Sequence, residues 1–288
     1  MEGDKPKEFP AEHQNKQPGI EKEMQMKPEY IRPGYKGSDK LKGKVALVTG
    51  GDSGIGRAVC VHFAREGADI AFCYMPQEKM DAEDTKQLIE KEGRKCLLLS
   101  GDLRDKSFCE NIVEQTVKEF GKLNVLVLNA AFQNPIDDLK KVNDEQIEKT
   151  FDINILSQFR VTRAALKHMK EGDAIISDAS IVAYKGMSSL VDYAATKGAI
   201  MGFVRSMSQQ LVDKKIRVNA VAPGPIYTPL IIATFPAEEV QKFGQDTPIG
   251  RAGQPSEVAT CFVFLACEDS SYITGQCLHP NGGVVLNT

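Results

Sequence analysis

Of the seven tyrosines in this 288-residue chain, Tyr193 alone has a lysine four residues on, Lys197. On a helix that spacing puts both side chains on one face, about one turn apart. A phenol with a pKa near ~10 is a poor base at neutral pH. A neighbouring ammonium favours the phenolate. At ~4 Å and an effective dielectric of ~20 the attraction is about 4 kcal/mol. One pKa unit is ~1.4 kcal/mol, so the pair predicts a phenol lowered by up to about three units before desolvation. That makes a proton donor and acceptor for work near neutral pH. Ser180 ends the apolar run AIISDAS, where a hydroxyl can steady a substrate carbonyl. Asn154, in FDINIL, is a polar residue among apolar neighbours and needs a partner. It is expected to hold a water that relays protons from Lys197, or to be a satisfied core amide.

A second cluster can hold an anion. Thr49-Gly50-Gly51-Asp52-Ser53-Gly54-Ile55-Gly56 follows the apolar run KVALV. Gly50 permits a tight turn, Gly54 clears space for a pyrophosphate, and Gly56 allows a helix to pack closely on the strand. Free N–H groups at the helix start, around Ser53 and Ile55, would then face the phosphates. Asp102 and Leu103 end a third apolar run, where the carboxylate would accept from an adenine amine or cap a helix. Asn129 and Ala130 end a fourth, and small residues there admit a ribose. The chemistry expected is hydride transfer with a nicotinamide dinucleotide. An acidic residue ending the second strand favours NAD through the ribose 2′-hydroxyl, and a basic one NADP. Tyr74 stands there and is neutral, as is Ser53, so the reading is NAD, with NADP as the alternative.

The elements that must position these residues alternate. Short apolar runs (KVALVT, ADIAFCY, KCLLLS, LNVLVL, AIISDA, IRVNAV and a last GQCLHP) read as strands buried on both faces. Between them the pattern predicts helices over about 55–66, 81–92, 106–120, 144–170, 191–212 and 255–267. Gly67, Gly93 and Gly121 act as stops for the first three. Strand–helix alternation means crossovers, hence an α/β fold. We expect a Rossmann-type doubly wound parallel sheet of about seven strands with helices on both faces. Residues 43–288 form that single domain. Residues 1–42, with five prolines and mixed charges, read as an extended arm, partly ordered at best. It lies over its own domain or over a neighbouring subunit. Residues 225–250, irregular and proline-containing, read as a lid over the substrate. Phe132, Gln133, Ile181, Tyr184, Met187 and Tyr227 are candidates for the pocket lining.

The formal net charge is −3 and charged residues are 26% of the chain, which gives no global basic field for nucleic acid. No run is long and apolar enough to span a membrane, and the first residues carry no secretory h-region. Seven cysteines lack C-x-x-C spacing and read as free thiols of a cytoplasmic protein. Four histidines lack ligand spacing, so no metal site is expected.

In order and spacing, TGGDSGIG, NAA, Ser180, Tyr193-x-x-x-Lys197 and Pro223-Gly224 resemble the classical short-chain dehydrogenases/reductases over residues 43–285. TGGDSGIGRAV, AYKG, ATKGAI, PGPIYTPL, RAGQP, SSYITGQ and LHPNGG are similar to the glucose and ribitol dehydrogenase-like branch, which also has a proline-rich arm. The resemblance implies an Asn-Ser-Tyr-Lys tetrad of Asn154, Ser180, Tyr193 and Lys197. It implies that Tyr193 and Lys197 also contact the nicotinamide ribose, that Pro223, Gly224, Ile226 and Thr228 hold the nicotinamide, and that the protein is a homotetramer. It suggests a sugar or polyol among secondary-alcohol substrates. The chain departs from the family in three places. Leu128 replaces the first asparagine of N-N-A-G, Tyr227 stands where tryptophan is common, and SDAS replaces a strand end richer in threonine. Two other classes compete: a cofactor-sensing binding protein on the same fold, and a stress-related structural protein assembled through the arm.

Overall fold

The computed structural model describes residues 5–286. The expectation for the arm therefore lies outside the described residues at positions 1–4. Seven parallel strands lie in the order β3-β2-β1-β4-β5-β6-β7. They are β1 Val45–Thr49, β2 Asp69–Tyr74, β3 Cys96–Ser100, β4 Val125–Leu128, β5 Ala174–Asp178, β6 Arg217–Val221 and β7 Cys277–Leu278. The order reverses between β1 and β4, which are paired from Ala46↔Val125 to Thr49↔Leu128. The crevice of such a sheet opens at that reversal, beyond the strands' carboxyl ends.

Alternation of side chains across the pleat divides the core in two. Leu47, Leu126, Ile175 and Val218 face Ile112 of α3 (Lys106–Phe120), Val161 of α5 (Ser157–Ala165) and Ile200 of α7 (Val191–Leu211). Val48, Phe72, Val127 and Ile176 face Phe63 of α1 (Gly54–Arg65), Ile89 of α2 (Lys79–Lys91) and Phe262 of α10 (Pro255–Ala266). Both faces are covered, which is why these strands read as unbroken apolar runs.

The structure departs from the sequence expectation in two respects. The single helix expected over 144–170 is α4 (Asp144–Phe151), a π turn (Asp152–Leu156) and then α5. The extra residue of the π turn rotates the following helix without breaking the run. The arm, expected to be partly ordered, is folded down on its own domain from residue 5. Phe9 and Met24 are buried with Tyr227, Ile232 and Val240 in a third apolar cluster. Phe9 stacks on Tyr227 at 3.9 Å, and the Gln14 N–H donates to Ile232 O at 2.9 Å. Gly19 lies so close to Pro229 that a Cβ would meet its carbonyl oxygen at 2.4 Å. Residues 225–250, the expected lid, carry two short helices, α8 (Pro229–Ile232) and α9 (Ala237–Gln241).

Candidate active site

A cleft of about 800 Å³ runs along the carboxyl ends of the strands. At one end is the glycine turn. Gly50 has φ +66°, which favours glycine, and it lies against Ala130 and the Asn129 amide. Asn129 Nδ2 ties the turn down by donating to Thr49 O and Gly50 O at 3.0 and 2.8 Å. Gly56 does not line the cleft. A Cβ there would meet Gly50 O at 1.8 Å, so it serves the close packing of α1 on β1. Ser53, Gly54, Ile55, Tyr74, Asp102, Leu103, Asn129 and Ala130 all line the cleft, as do Pro223, Gly224, Ile226 and Thr228.

The arm changes the electrostatics of this end. The Gly54 N–H, expected to face an anion, donates instead to Glu21 Oε2 at 2.7 Å. Glu21 also pairs with Arg57. Arg57 Nε donates to Asp52 O at 2.9 Å and to Thr85 Oγ1 at 2.8 Å, so its guanidinium is occupied. Burial pushes Glu21 up to about 7 against the pull of Arg57, and Asp52 up to about 6. Burial, then the charge of Asp52, pushes Glu78 up to about 9. Asp52 and Glu78 both line the cleft next to Tyr74, Met75 and Gln77. Sequence reasoning missed Glu21 and Glu78. Glu78 lies four residues past the strand end, and Glu21 is distant in sequence. Asp102 lines the cleft but is held by Arg104, with Oδ2 accepting from Arg104 Nη2 at 2.6 Å. Burial works upward on Asp102, and the Arg104 contacts hold it below the ordinary carboxylate range. It is not the cap of α3. Asp105 is, accepting from the Ser107 N–H at 2.8 Å.

At the other end Ser180, Tyr193 and Lys197 converge, with Asp178 beside them. Ser180 lies two residues past the end of β5, while Tyr193 and Lys197 project from the first turns of α7. Lys197 is 1% exposed. Its Nζ donates to the Asp178 backbone oxygen at 2.7 Å and lies 5.4 Å from the Tyr193 ring centroid. The expected lowering of the phenol is not what this geometry gives. Burial, then the charge of Asp178, pushes Tyr193 above its ordinary value, while the Ser180 hydroxyl works the other way. Burial holds Lys197 below its ordinary value, opposed by Asp178. The shared face is as expected. What the spacing left out is that both groups are desolvated and that the ammonium is aimed at the strand end.

Asn154 does not line the cleft. It sits in the π turn, 1% exposed. Its Oδ1 accepts from the Phe132 N–H at 2.7 Å, and its Nδ2 donates to Phe132 O at 2.9 Å and Thr196 Oγ1 at 3.1 Å. The side chain therefore clamps the loop after β4 to α7, and both amide hydrogens are used, so the expected water is not held through them. Phe132, Gln133, Ile181 and Met187 line the cleft. Tyr227 instead is fully buried beneath Phe9, its hydroxyl 3.0 Å from Glu12 Oε1. Tyr184 packs edge-on against His279 at 5.1 Å, away from the lining.

A doubly wound sheet, a glycine turn at its reversal and a buried Tyr-Lys pair at the same cleft define a nicotinamide-dependent oxidoreductase. A family model described as enoyl-(acyl carrier protein) reductase matches residues 50–285, and the chain belongs to the short-chain dehydrogenase/reductase family. It is 50% identical to a glucose and ribitol dehydrogenase of Daucus carota, over 97% of this chain and 98% of that one. It is likewise 50% identical to a protein of Arabidopsis thaliana named NADPH-dependent aldehyde reductase 1, chloroplastic, over 95% and 97%. Among solved structures, a short-chain dehydrogenase from Burkholderia cenocepacia in complex with NADP superposes with a TM-score of 0.80 at 29% identity, covering 85% of this chain and 98% of that one. The protein is an NAD(P)-dependent oxidoreductase of alcohols and carbonyls. Among the described residues no helix is long and apolar enough to cross a membrane.

Proposed function

We propose that the protein interconverts a small polyhydroxy alcohol and its carbonyl form, with Tyr193 as the general acid and base. The observation that carries this is the convergence of Tyr193, Ser180 and Lys197 at one end of a cleft whose other end is the glycine turn. Bound nicotinamide supplies or takes the hydride. Tyr193 gives its proton to the carbonyl oxygen in reduction and takes it from the hydroxyl in oxidation. Ser180 donates to that same oxygen and steadies it. Lys197 holds positive charge under the phenol and contacts the nicotinamide ribose. Asn154 positions the loop after β4. Gln133, Lys185, Glu238, Lys242 and Asp246 give the substrate side polar walls, which suits a sugar or polyol, as does the name of the Daucus relative.

The preferred cofactor in this reading is NAD. The carboxyls of Asp52, in the glycine turn, and Glu78, past the end of β2, line the cleft with Tyr74. Glu78, pushed up to about 9, keeps its proton at neutral pH. Asp52, pushed only to about 6, carries the negative charge that an extra phosphate on the ribose would meet, and Arg57 is occupied by Glu21. The names of the Arabidopsis and Burkholderia proteins point to NADP in those proteins. Fluorescence titration separates the two. NADH is expected to bind at least about tenfold tighter than NADPH, a difference of ~1.4 kcal/mol. Asp52→Asn, which removes the charged member of the pair, should narrow that gap. Tighter NADPH binding would reverse the assignment, and a panel of sugars, polyols and aldehydes tests the substrate class.

We also propose a homotetramer. Leu156, Phe159 and Val191 are large apolar residues left exposed on the π turn, α5 and α7, at 41%, 52% and 45%. A second set, Tyr272 and Val285, is exposed near the C-terminal end. Apolar side chains exposed on two different parts of the fold suit two kinds of subunit contact. Sedimentation should give four copies, and Phe159→Glu should give smaller species. A single-copy wild type would remove the proposal. A cytoplasmic location fits seven unbridged cysteines and can be tested by fractionation.

A further inference from the structure

Asp178 is the last residue of β5, two before Ser180, and lines the cleft while being only 7% exposed. Its Oδ1 is buried and has no hydrogen-bond partner among the described residues. A buried carboxylate without partners is costly, and a chain normally satisfies or removes it. The titratable groups that face it are few. From α7, Lys197 Nζ donates to the Asp178 backbone oxygen at 2.7 Å and Tyr193 shares the cleft lining with it, and Cys277 stands on β7, one strand beyond β6. Its strand neighbours bring no charge: Val221 of β6 pairs with it, and Leu128 of β4 pairs with Ser177. Its carboxylate therefore acts almost entirely on the Tyr193–Lys197 pair.

We propose that Asp178 is a positioning residue that sets the working direction of this site: its charge takes up part of the Lys197 field that would otherwise stabilise a Tyr193 phenolate, so the site at neutral pH is set for carbonyl reduction. This rests on the proton-transfer role given to Tyr193 above. In reduction the phenol proton goes to the carbonyl oxygen as the hydride from the reduced nicotinamide reaches the carbonyl carbon. The carbonyl gains two electrons and two hydrogens, the nicotinamide is oxidised, and Tyr193 regains its proton from solvent. Oxidation needs the phenolate first, which Asp178 disfavours. Burial and this charge act on the phenol in the same sense, and the Asp178 carboxyl itself is pushed up to about 6 by burial against the pull of Lys197. Above that value the carboxylate is charged and the bias is complete. Below it the bias fades.

The test uses Asp178→Asn and Asp178→Ser in the full chain. Neither removes a side-chain hydrogen bond, so both should keep the wild-type melting temperature or exceed it. Two readouts are compared with wild type. One is the pH profile of kcat for alcohol oxidation and for carbonyl reduction. The other, on cofactor-free protein, is the ultraviolet titration of Tyr193, taken as the difference between each protein and its Tyr193→Phe counterpart. The expected result is that the rising limb of oxidation and the Tyr193 titration both move to lower pH by about one unit, with oxidation at neutral pH about tenfold faster. Reduction at neutral pH should change far less. Coincident profiles and titrations in both variants, or a move to higher pH, would overturn the proposal. So would loss of the folded state in both, since Asp178 would then be structural. Turnover retained by Tyr193→Phe alone would instead remove the underlying reading, so the two failures are separable.

Discussion

Tyr193→Phe is expected to lower turnover in both directions by about 10²–10⁴-fold, with NADH affinity held within about twofold. The substitution removes one hydroxyl and keeps the ring that packs near Lys197. Lys197 keeps its bond to the Asp178 backbone oxygen, so the floor of the cleft is not disturbed. Steady-state rates beside a fluorescence titration check both halves. Turnover within tenfold of wild type would move the proton-transfer role elsewhere, with Ser180 the nearest hydroxyl. Loss of NADH binding would mean that the phenol contributes to the cofactor site and not to the proton step alone.

The second large effect lies at the opposite end of the cleft. Arg57 meets Glu21 from the arm, lies 3.6 Å from Asp81 Oδ1, and donates to Asp52 O and Thr85 Oγ1. Arg57→Met leaves those carboxylates buried without their cation. Breaking a buried pair from one side costs about 3–5 kcal/mol. For a chain of this size that lowers Tm by about 10 °C. The loss should depend on pH. Burial raises Glu21 from 4.5 to about 7, so the folded chain holds that proton more tightly than the unfolded chain. The stability so gained is complete below the unfolded value and is lost as pH rises through the folded one. Asp52, raised from 3.8 to about 6, behaves in the same sense. The deficit of the variant should therefore be larger at pH ~8 than at pH ~5.5, because protonated carboxyls need no cation. Melting curves at the two pH values check this. An equal deficit at both would mean that the lost hydrogen bonds dominate and the charges do not.

The parts of the fold that were legible in the sequence depend on repetition. Runs such as KVALVT and LNVLVL are apolar because both faces of the sheet are covered, so burial leaves a continuous mark. The glycine turn was legible for a similar reason, since Gly50 and Gly56 answer to backbone geometry fixed by the neighbouring strand. The π turn was not. One extra residue at Asp152–Leu156 leaves the apolar spacing of the long helix nearly intact. The arm was legible as a separate segment, but its seat on the domain was not. Its anchors are single residues, such as Phe9 on Tyr227 and Glu21 on Gly54, and isolated contacts have no period. The Tyr193–Lys197 face was readable from a four-residue interval, but the direction in which the phenol shifts was not. That direction follows from desolvation and from Asp178, and both are properties of the assembled core.

The docking of the arm also bears on how the protein is made. The amide of Gln245 donates to Lys7 O, a pairing of residues 238 apart, and Phe9 seats on Tyr227. The arm thus leaves the ribosome 238 residues before the segment that seats it. Until residues near 245 emerge, the Glu21 carboxylate has its partners at Gly54 and Arg57 but no lid to close against. Closing so long a loop is a slow, late event. A nascent chain would therefore hold an assembled glycine turn before it has a covered substrate site. Fusions at the amino terminus would act on that final step, leaving the folding of the sheet largely untouched.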